Sequence, residues 1–413
     1  MKISILLPYK ENFSSEYPGA VSLFIKDTSK VSRYKKNLIV YGSTDYKKLF
    51  NIKYVNIVLK KKIISSQTKQ YVDKFIEYEQ KNSSNLIEIH NRPNYLKFLI
   101  KKLNVRNYTL FFHNDPLSME GSKNIEDRIF LLNTCYKIIF NSNWSKKRFL
   151  EGLDNKYINS EKLLVCFQSA VKGNINLIKK KQKWVTFVGK LNKAKGYDIF
   201  AKTIVEILNK NKDWKAKIVG DEKREIINIK HKNANLLGFQ KHDKVLDLFK
   251  KSSIAVVCSR WEEPFGRTSL EAAANGCAVI ISNRGGLPET VTNAIILNEL
   301  NQKELKKNIS SLIEDKKKRS FLQNLSIKNF YLSHKYVSNL IDNYRSEKIE
   351  NINLFFTKKK KSPLRILHIT NFNERLDGRL FFNTGRRINN GFIRLGHSVL
   401  GYSDRDIVKY YRS

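Results

Sequence analysis

A glycine ahead of a short predicted helix gives residues 258–290 the features of a phosphate site. The stretch reads CSRWEEPFGRTSLEAAANGCAVIISNRGGLPET, in which a loop separates an apolar strand from the helix. Gly266 lets the backbone turn tightly and approach a ligand closely. The first N–H groups of the helix have no partner within it, and they belong to Gly266, Arg267, Thr268 and Ser269. With the positive end of the helix dipole, they predict a cradle for a diphosphate.

Two glutamates flank this turn. Glu263 lies on the loop and Glu271 on the helix, which is expected to begin near Thr268 or Ser269 and to end around Gly276. Carboxylates bind sugar hydroxyls well, because each accepts two or more hydrogen bonds. The same pair is compatible with an ordinary solvated helix start, and the spacing alone leaves both interpretations open.

The whole stretch resembles the donor-sugar motif of the family 4 retaining glycosyltransferases, also called glycosyl transferases group 1. Their pattern is E-P-F-G-x-x-x-x-E-A-x-A-x-G, followed by an apolar strand and a G-G-x-x-E turn. Here it reads EPFGRTSLEAAANG, CAVIIS and GGLPE. The resemblance implies the GT-B fold of this family. It also implies that Glu263 faces the donor sugar and that Glu271 binds the ribose of the nucleotide.

A second stretch, WVTFVGKLNKAKGYDIF, resembles the G-R-x-x-x-x-K-G segment of the same family. In that segment two cations bind the donor pyrophosphate. The corresponding residues here are Lys190 and Lys195, and Gly196 follows. Lys190 stands where arginine is usual, so the charge is kept and the bidentate fork is lost. The alternative is that both are solvated lysines among the many in this chain.

Weaker similarities extend to three other strand ends. The resemblance implies that Gly238 and Phe239 contact the nucleobase, and that Gly19 belongs to a loop bordering the acceptor and the donor phosphate. It also implies that His113, at a strand end, lies beside the transferring sugar, so that His113 and Glu263 are the candidate catalytic residues. Residues with less support are His90, Asn91, Arg92, Asn114, Asp115 and Ser142.

The chemistry implied is sugar transfer from a nucleotide-diphosphate sugar to a glycan or lipid-linked acceptor, with retention at the anomeric carbon. The resemblance indicates cell-surface polysaccharide or lipopolysaccharide biosynthesis. We expect no metal and no cofactor beyond the donor, because acidic and histidine residues do not cluster and lysines can neutralise the diphosphate. Two alternatives stay open: a phosphorylase or epimerase on the same fold, and a catalytically silent scaffold or glycan-binding protein.

Alternating strand-like and helix-like segments predict the fold that positions these residues. The βαβ rhythm indicates parallel sheets covered on both faces, and a composition break near residue 175 separates two such series. We therefore expect a Rossmann-like acceptor domain at 1–174 and a Rossmann-like nucleotide-sugar domain at 175–349. A basic linker at 350–362 and the incomplete start of a second glycosyltransferase-like domain at 363–413 follow. Because this last domain is incomplete, we expect the chain to be a truncated piece of a longer protein.

Composition narrows the partners. The 413 residues include 77 Lys and Arg against 38 Asp and Glu, a formal net charge of +39. The positive residues are spread along the chain without a nucleic-acid-binding signature, so a lysine-rich proteome is the first interpretation and peripheral contact with an anionic membrane the second. No apolar run approaches the ~20 residues that cross a bilayer. We expect a cytoplasmic protein, or one at the inner face of the cytoplasmic membrane, with four reduced cysteines.

Overall fold

The computed structural model describes residues 2–59, 66–104, 106–291, 293–356, 363–372 and 384–410. The chain divides into two compact units, Met1–Ile349 and Glu350–Ser413. Within the first unit, two separate parallel sheets are each flanked by helices, as the alternating segments of the sequence predict.

The first sheet has seven strands in the order β3-β2-β1-β4-β5-β6-β7, and every neighbouring pair is parallel. Its strands are β1 (Ile3–Leu6), β2 (Leu38–Gly42), β3 (Tyr54–Asn56), β4 (Leu86–His90), β5 (Asn107–Phe112), β6 (Lys137–Phe140) and β7 (Leu163–Val165). The connecting helices are α1 (Ala20–Val31), α2 (Gln67–Asn82), α3 (Tyr95–Lys102), α4 (Ile125–Thr134) and α5 (Asn143–Leu150). Every residue of β1, β2 and β4 is buried, because helices cover both faces of the sheet.

The second sheet has six parallel strands in the order β10-β9-β8-β11-β12-β13. They are β8 (Gln182–Val188), β9 (Lys215–Val219), β10 (Ala234–Leu236), β11 (Ser252–Val257), β12 (Ala278–Ser282) and β13 (Ala294–Leu297). Its helices are α6 (Tyr197–Lys210), α7 (His242–Lys251), α8 (Arg267–Ala274), α9 (Gln302–Glu314) and α10 (Lys316–Lys328). The strand order reverses between β1 and β4 in one sheet and between β8 and β11 in the other. Ligands of such sheets bind beyond the carboxyl ends of the strands at these reversals.

A long helix, α11 (His334–Phe356), returns to pack on the first sheet. Its Arg345 is buried and forms two hydrogen bonds of 2.7 Å with the Glu88 carboxylate on β4. Arg345 also donates to Asp342, which accepts hydrogen bonds from Ser32 and Arg33 near the end of α1. Because α11 continues to Phe356, residues 350–356 are helical where the sequence analysis predicts a linker.

The second unit contains the predicted strand–helix–strand series. It consists of β14 (Arg365–Thr370), α12 (Thr384–Arg394), β15 (Ser398–Ser403) and α13 (Asp404–Tyr410), and its two strands pair in parallel. Leu367, Ile369 and Leu400 remain more than half exposed on these strands. One βαβ unit cannot bury its own apolar face, so its interpretation as the start of another domain stays a prediction.

We expect Arg345→Met to destabilise the first unit strongly, because the Glu88 and Asp342 carboxylates would remain buried without their cation. Removing one partner of a buried pair costs about 3–5 kcal/mol. The measurement is the midpoint of thermal unfolding. The matched control is Lys74→Met, which breaks the exposed pair with Glu77 and should leave the midpoint almost unchanged. Equal effects of the two variants would contradict the structural role of Arg345.

Candidate active site

A cavity of about 260 Å³ lies where the carboxyl ends of the two sheets face each other. His113 follows β5 of the first sheet, whereas Lys195 and Glu263 follow β8 and β11 of the second. The sequence-predicted residues that line this cavity are His113, Asn114, Lys195, Glu263, Gly266, Arg267 and Thr268. The structure therefore brings residues distant in sequence to one cleft.

Gly266 shapes the helix end that opens into this cavity. Its φ of 114° is in the left-handed region, and a Cβ there would lie 2.4 Å from Leu287 Cδ1. The helix α8 begins at Arg267, slightly earlier than predicted, and Ser269 Oγ donates to Gly266 O at 2.8 Å. Across the described chain, no acceptor pairs with the backbone amides of Arg267, Thr268 and Ser269. They remain available to an anion.

Lys195 and Glu263 both line the cavity and form an ion pair, in which Lys195 Nζ lies 2.5 Å from Glu263 Oε1. A short 3₁₀ helix carries Lys195, whose backbone amide donates to the Asn192 side chain at 3.0 Å. The next residue, Gly196, packs so closely against the end of β11 that a Cβ would lie 1.8 Å from Cys258 O. Glycine at residue 196 therefore allows the chain to approach β11 closely enough for the Lys195 ammonium group to meet the Glu263 carboxylate.

The structure does not bring Lys190 into the cavity with Lys195. Lys190 follows Gly189 directly at the end of β8 and is exposed, whereas the 3₁₀ turn directs Lys195 back towards β11. Of the two lysines expected to bind the diphosphate, Lys195 lines the cavity and Lys190 does not.

Glu271 does not line the cavity, and its carboxylate already has two partners. It accepts hydrogen bonds from Arg267 Nε at 2.6 Å and pairs with His242 Nε2 at 2.8 Å. Arg267 Nη2 also binds Asp27 on α1 of the first sheet at 2.8 Å. Burial alone would raise the pKa of both carboxyl groups. The nearby cations, chiefly Arg267, outweigh burial and lower the pKa of Glu271 and Asp27.

His113 packs against a second buried histidine. His113 Nε2 lies 3.0 Å from Nδ1 of His90, the last residue of β4. Two amide side chains fix the backbone here: Asn91 accepts from the His113 N–H, and Asn141 donates to the His113 carbonyl. Burial lowers the pKa of His113 to about 3, so the ring is neutral.

Gly19, Gly238 and Phe239, which the resemblance assigns to the donor site, also lie outside the cavity lining. The carboxylate of Glu11 occupies the space beside Gly19 and accepts a hydrogen bond from the Ser22 amide at 3.0 Å. Burial raises the pKa of Glu11. Phe239 stacks on Tyr17 of the first half, with ring centroids 4.7 Å apart, and Gly238 precedes it on the same loop.

Several site residues escape the sequence analysis. Asp27 and His242 lie in ordinary helical patterns, and only the folded chain shows that they meet Arg267 and Glu271. Asn141 and Gln168 line the cavity from the loops after β6 and β7. Glu289 belongs to the quoted GGLPE turn, and its carboxylate accepts hydrogen bonds from the first amides of α5, at 2.7 and 2.8 Å. A strand-end position is the signal that could have identified Asn141 and Gln168.

Neither a metal-binding cluster nor a membrane-spanning helix occurs among the described residues. Over the described residues, His, Cys, Asp and Glu side chains form no group of three or more that could hold a metal ion. In the same parts of the chain, no helix has the length and apolar character needed to cross a membrane.

Comparison with known proteins identifies relatives of this chain. Residues 171–328 match the family model described as Glycosyl transferases group 1. Spore coat protein SA of Bacillus subtilis is 24% identical over 357 residues, 78% of this chain and 92% of that protein. The lipopolysaccharide core biosynthesis mannosyltransferase LpsB of Rhizobium meliloti is 28% identical over 121 residues, 27% of this chain and 34% of that protein.

A solved structure agrees with the arrangement of the two sheets. The crystal structure of Anabaena Alr3699/HepE in complex with UDP-glucose aligns with a TM-score of 0.66 over 85% of this chain and 100% of that one. The sequence identity is 17%, so this likeness concerns the fold. The match to glycosyl transferases group 1 thus covers the part of the chain that contains the second sheet, and the two sheets together have the GT-B fold.

Proposed function

We propose that this chain transfers a sugar from a nucleotide-diphosphate sugar to a glycan or lipid-linked acceptor, with retention at the anomeric carbon. The observation that carries the proposal is the meeting of Lys195, Glu263 and the open amino end of α8 in one cavity. A cation and free amides suit a diphosphate, and a carboxylate suits sugar hydroxyls.

Charge development explains the arrangement. As the bond between the sugar and the diphosphate breaks, negative charge grows on the leaving phosphate. The Lys195 ammonium and the amides of Arg267, Thr268 and Ser269 would stabilise that charge, because they are fixed before the reaction begins. Donor binding would separate Lys195 from Glu263 and free the carboxylate to accept hydrogen bonds from the sugar. The leaving phosphate can itself accept the proton of the acceptor hydroxyl.

The relatives guide the choice of substrates. HepE has been crystallised with UDP-glucose, and LpsB is named as a mannosyltransferase of lipopolysaccharide core biosynthesis. We therefore propose a role in cell-surface polysaccharide or lipopolysaccharide assembly. UDP-glucose and a nucleotide-linked mannose are the first donors to test. The net charge of +39 suits an acceptor presented at the anionic inner face of the cytoplasmic membrane.

Assays with labelled nucleotide sugars separate this function from its alternatives. A transferase releases nucleoside diphosphate and labels an acceptor, whereas an epimerase converts the donor sugar without transfer. A phosphorylase requires inorganic phosphate or releases a sugar phosphate. A silent scaffold releases nothing from any donor of the panel.

We expect Lys195→Ala to lower kcat for nucleoside diphosphate release by about 100-fold or more, the usual effect of losing one preorganised charge-stabilising group. Lys195→Arg should retain part of the activity because it keeps the charge. The measurement is steady-state release with the donor that the wild type uses.

The matched control is Lys193→Ala, on the same 3₁₀ helix but exposed and outside the cavity lining. It should behave like the wild type. If Lys195→Ala also retained full activity, the proposed stabilisation of the leaving group would be wrong.

We expect Asp27→Asn to weaken UDP binding by about tenfold. Arg267 divides its hydrogen bonds between Asp27 and Glu271, so removing the Asp27 charge would leave the guanidinium to Glu271 alone. That stronger pairing would compete with the ribose contact that the family resemblance implies for Glu271, by an amount typical of a charge-assisted hydrogen bond. Calorimetric titration of UDP measures the change.

Asp73→Asn supplies the comparison, since Asp73 lies on α2 and pairs only weakly with Lys102 at 3.4 Å. Its affinity for UDP should equal that of the wild type. Unchanged UDP affinity in Asp27→Asn would exclude the coupling between the first sheet and Glu271.

A further inference from the structure

The two buried histidines at the cleft share one hydrogen bond, and each has a nitrogen left over. The shared contact joins His90 Nδ1 and His113 Nε2 at 3.0 Å. The remaining nitrogens, His90 Nε2 and His113 Nδ1, are buried, and neither has a partner among the described residues. A proton must therefore lie on one of two nitrogens that the protein leaves without a partner.

Both rings are neutral, so they carry two ring protons between them. Burial lowers the pKa of His113 to about 3 and lowers the pKa of His90 well below its ordinary value, with His113 and Arg345 adding to the effect on His90. One proton occupies the shared hydrogen bond. The other lies on His113 Nδ1 if His90 donates, or on His90 Nε2 if His113 donates.

Both of these nitrogens are buried, but the rings that carry them have different surroundings. His90 is 1% exposed, and its ring stacks on Phe111, with centroids 4.3 Å apart and planes inclined by 8°. His113 lines the cavity, whereas His90 does not. An N–H group sealed in the protein without an acceptor is rare and costly. Without a ligand either proton would be in that position, but His113 lines the cavity, so a bound ligand can supply an acceptor for His113 Nδ1–H and none for His90 Nε2–H.

We infer that His90 is a positioning residue: its Nδ1–H donates to His113 Nε2 and thereby fixes His113 as the tautomer that carries its proton on Nδ1. His113 then offers a hydrogen-bond donor to an oxygen of the sugar and does not act as a general base. This inference rests on the proposed function for the identity of the ligand. It agrees with a reaction in which the leaving phosphate takes the acceptor proton.

Nitrogen NMR of the full-length protein tests the tautomer without any substrate. With histidine labelled by ¹⁵N in the ring, His113 should show a protonated Nδ1 and an unprotonated Nε2, and His90 the same pattern. His90→Asn and His113→Asn assign the signals. An unprotonated Nδ1 in His113 would overturn the inference, whatever the enzyme assays show.

Two substitutions of His90 test the consequence for catalysis. His90→Phe keeps a buried ring and removes the donor, so kcat with the active nucleotide sugar should fall about tenfold. In His90→Asn the amide nitrogen can take the place of Nδ1, and kcat should stay within about threefold of the wild type. The affinity for UDP, which lacks the sugar, should be unchanged in both variants and serves as the test of folding.

The outcomes separate the two proposals. Equal loss of kcat in His90→Phe and His90→Asn, with normal UDP affinity, would exclude the positioning role. Absence of turnover in the wild type with every donor would instead contradict the proposed function, while the NMR pattern would still decide the tautomer of His113.

Discussion

The ion pair between Lys195 and Glu263 is the contact on which the organisation of the cleft depends. Its partners follow β8 and β11, so the pair exists only because two parallel strands end at the same edge of one sheet. An ammonium group beside an open helix end forms a positive site, and a carboxylate compensates that charge within the protein. In the proposed reaction the donor replaces this internal compensation: the diphosphate takes the cation, and the sugar takes the carboxylate.

Three contacts join the part of the first unit that contains the first sheet (the first half) to the part that contains the second sheet (the second half). Arg267 binds Asp27, Glu289 accepts hydrogen bonds from the first amides of α5, and Phe239 stacks on Tyr17. In each contact the residue of the second half lies beyond the carboxyl ends of the strands of the second sheet. Arg267 also binds Glu271, so the proposed nucleotide site and the contact between the two sheet-containing parts share one buried cation.

The fold follows from the sequence more completely than the site does. Buried strands such as Leu86–His90 and Ala278–Ser282 are mostly apolar, and their alternation with helices predicts two parallel sheets. The family resemblance assigns Glu263, Gly266 and Lys195 to one donor site, and the structure places all three along one cavity. Neither the resemblance nor the local pattern shows that Glu271 pairs with His242, or that Glu11 fills the space beside Gly19, because those contacts depend on how the chain folds.

A crystal structure of the protein with UDP bound would decide whether the cleft holds the donor in the way proposed. We expect the diphosphate to lie within hydrogen-bond distance of Lys195 Nζ and of the first amides of α8, with Lys195 and Glu263 separated. A second basic groove, of about 1010 Å³ and lined by Lys179, Lys183 and Arg319, offers the diphosphate another place. UDP bound in that groove, or bound in the cleft with the Lys195–Glu263 pair intact, would show that the proposed donor site is wrong.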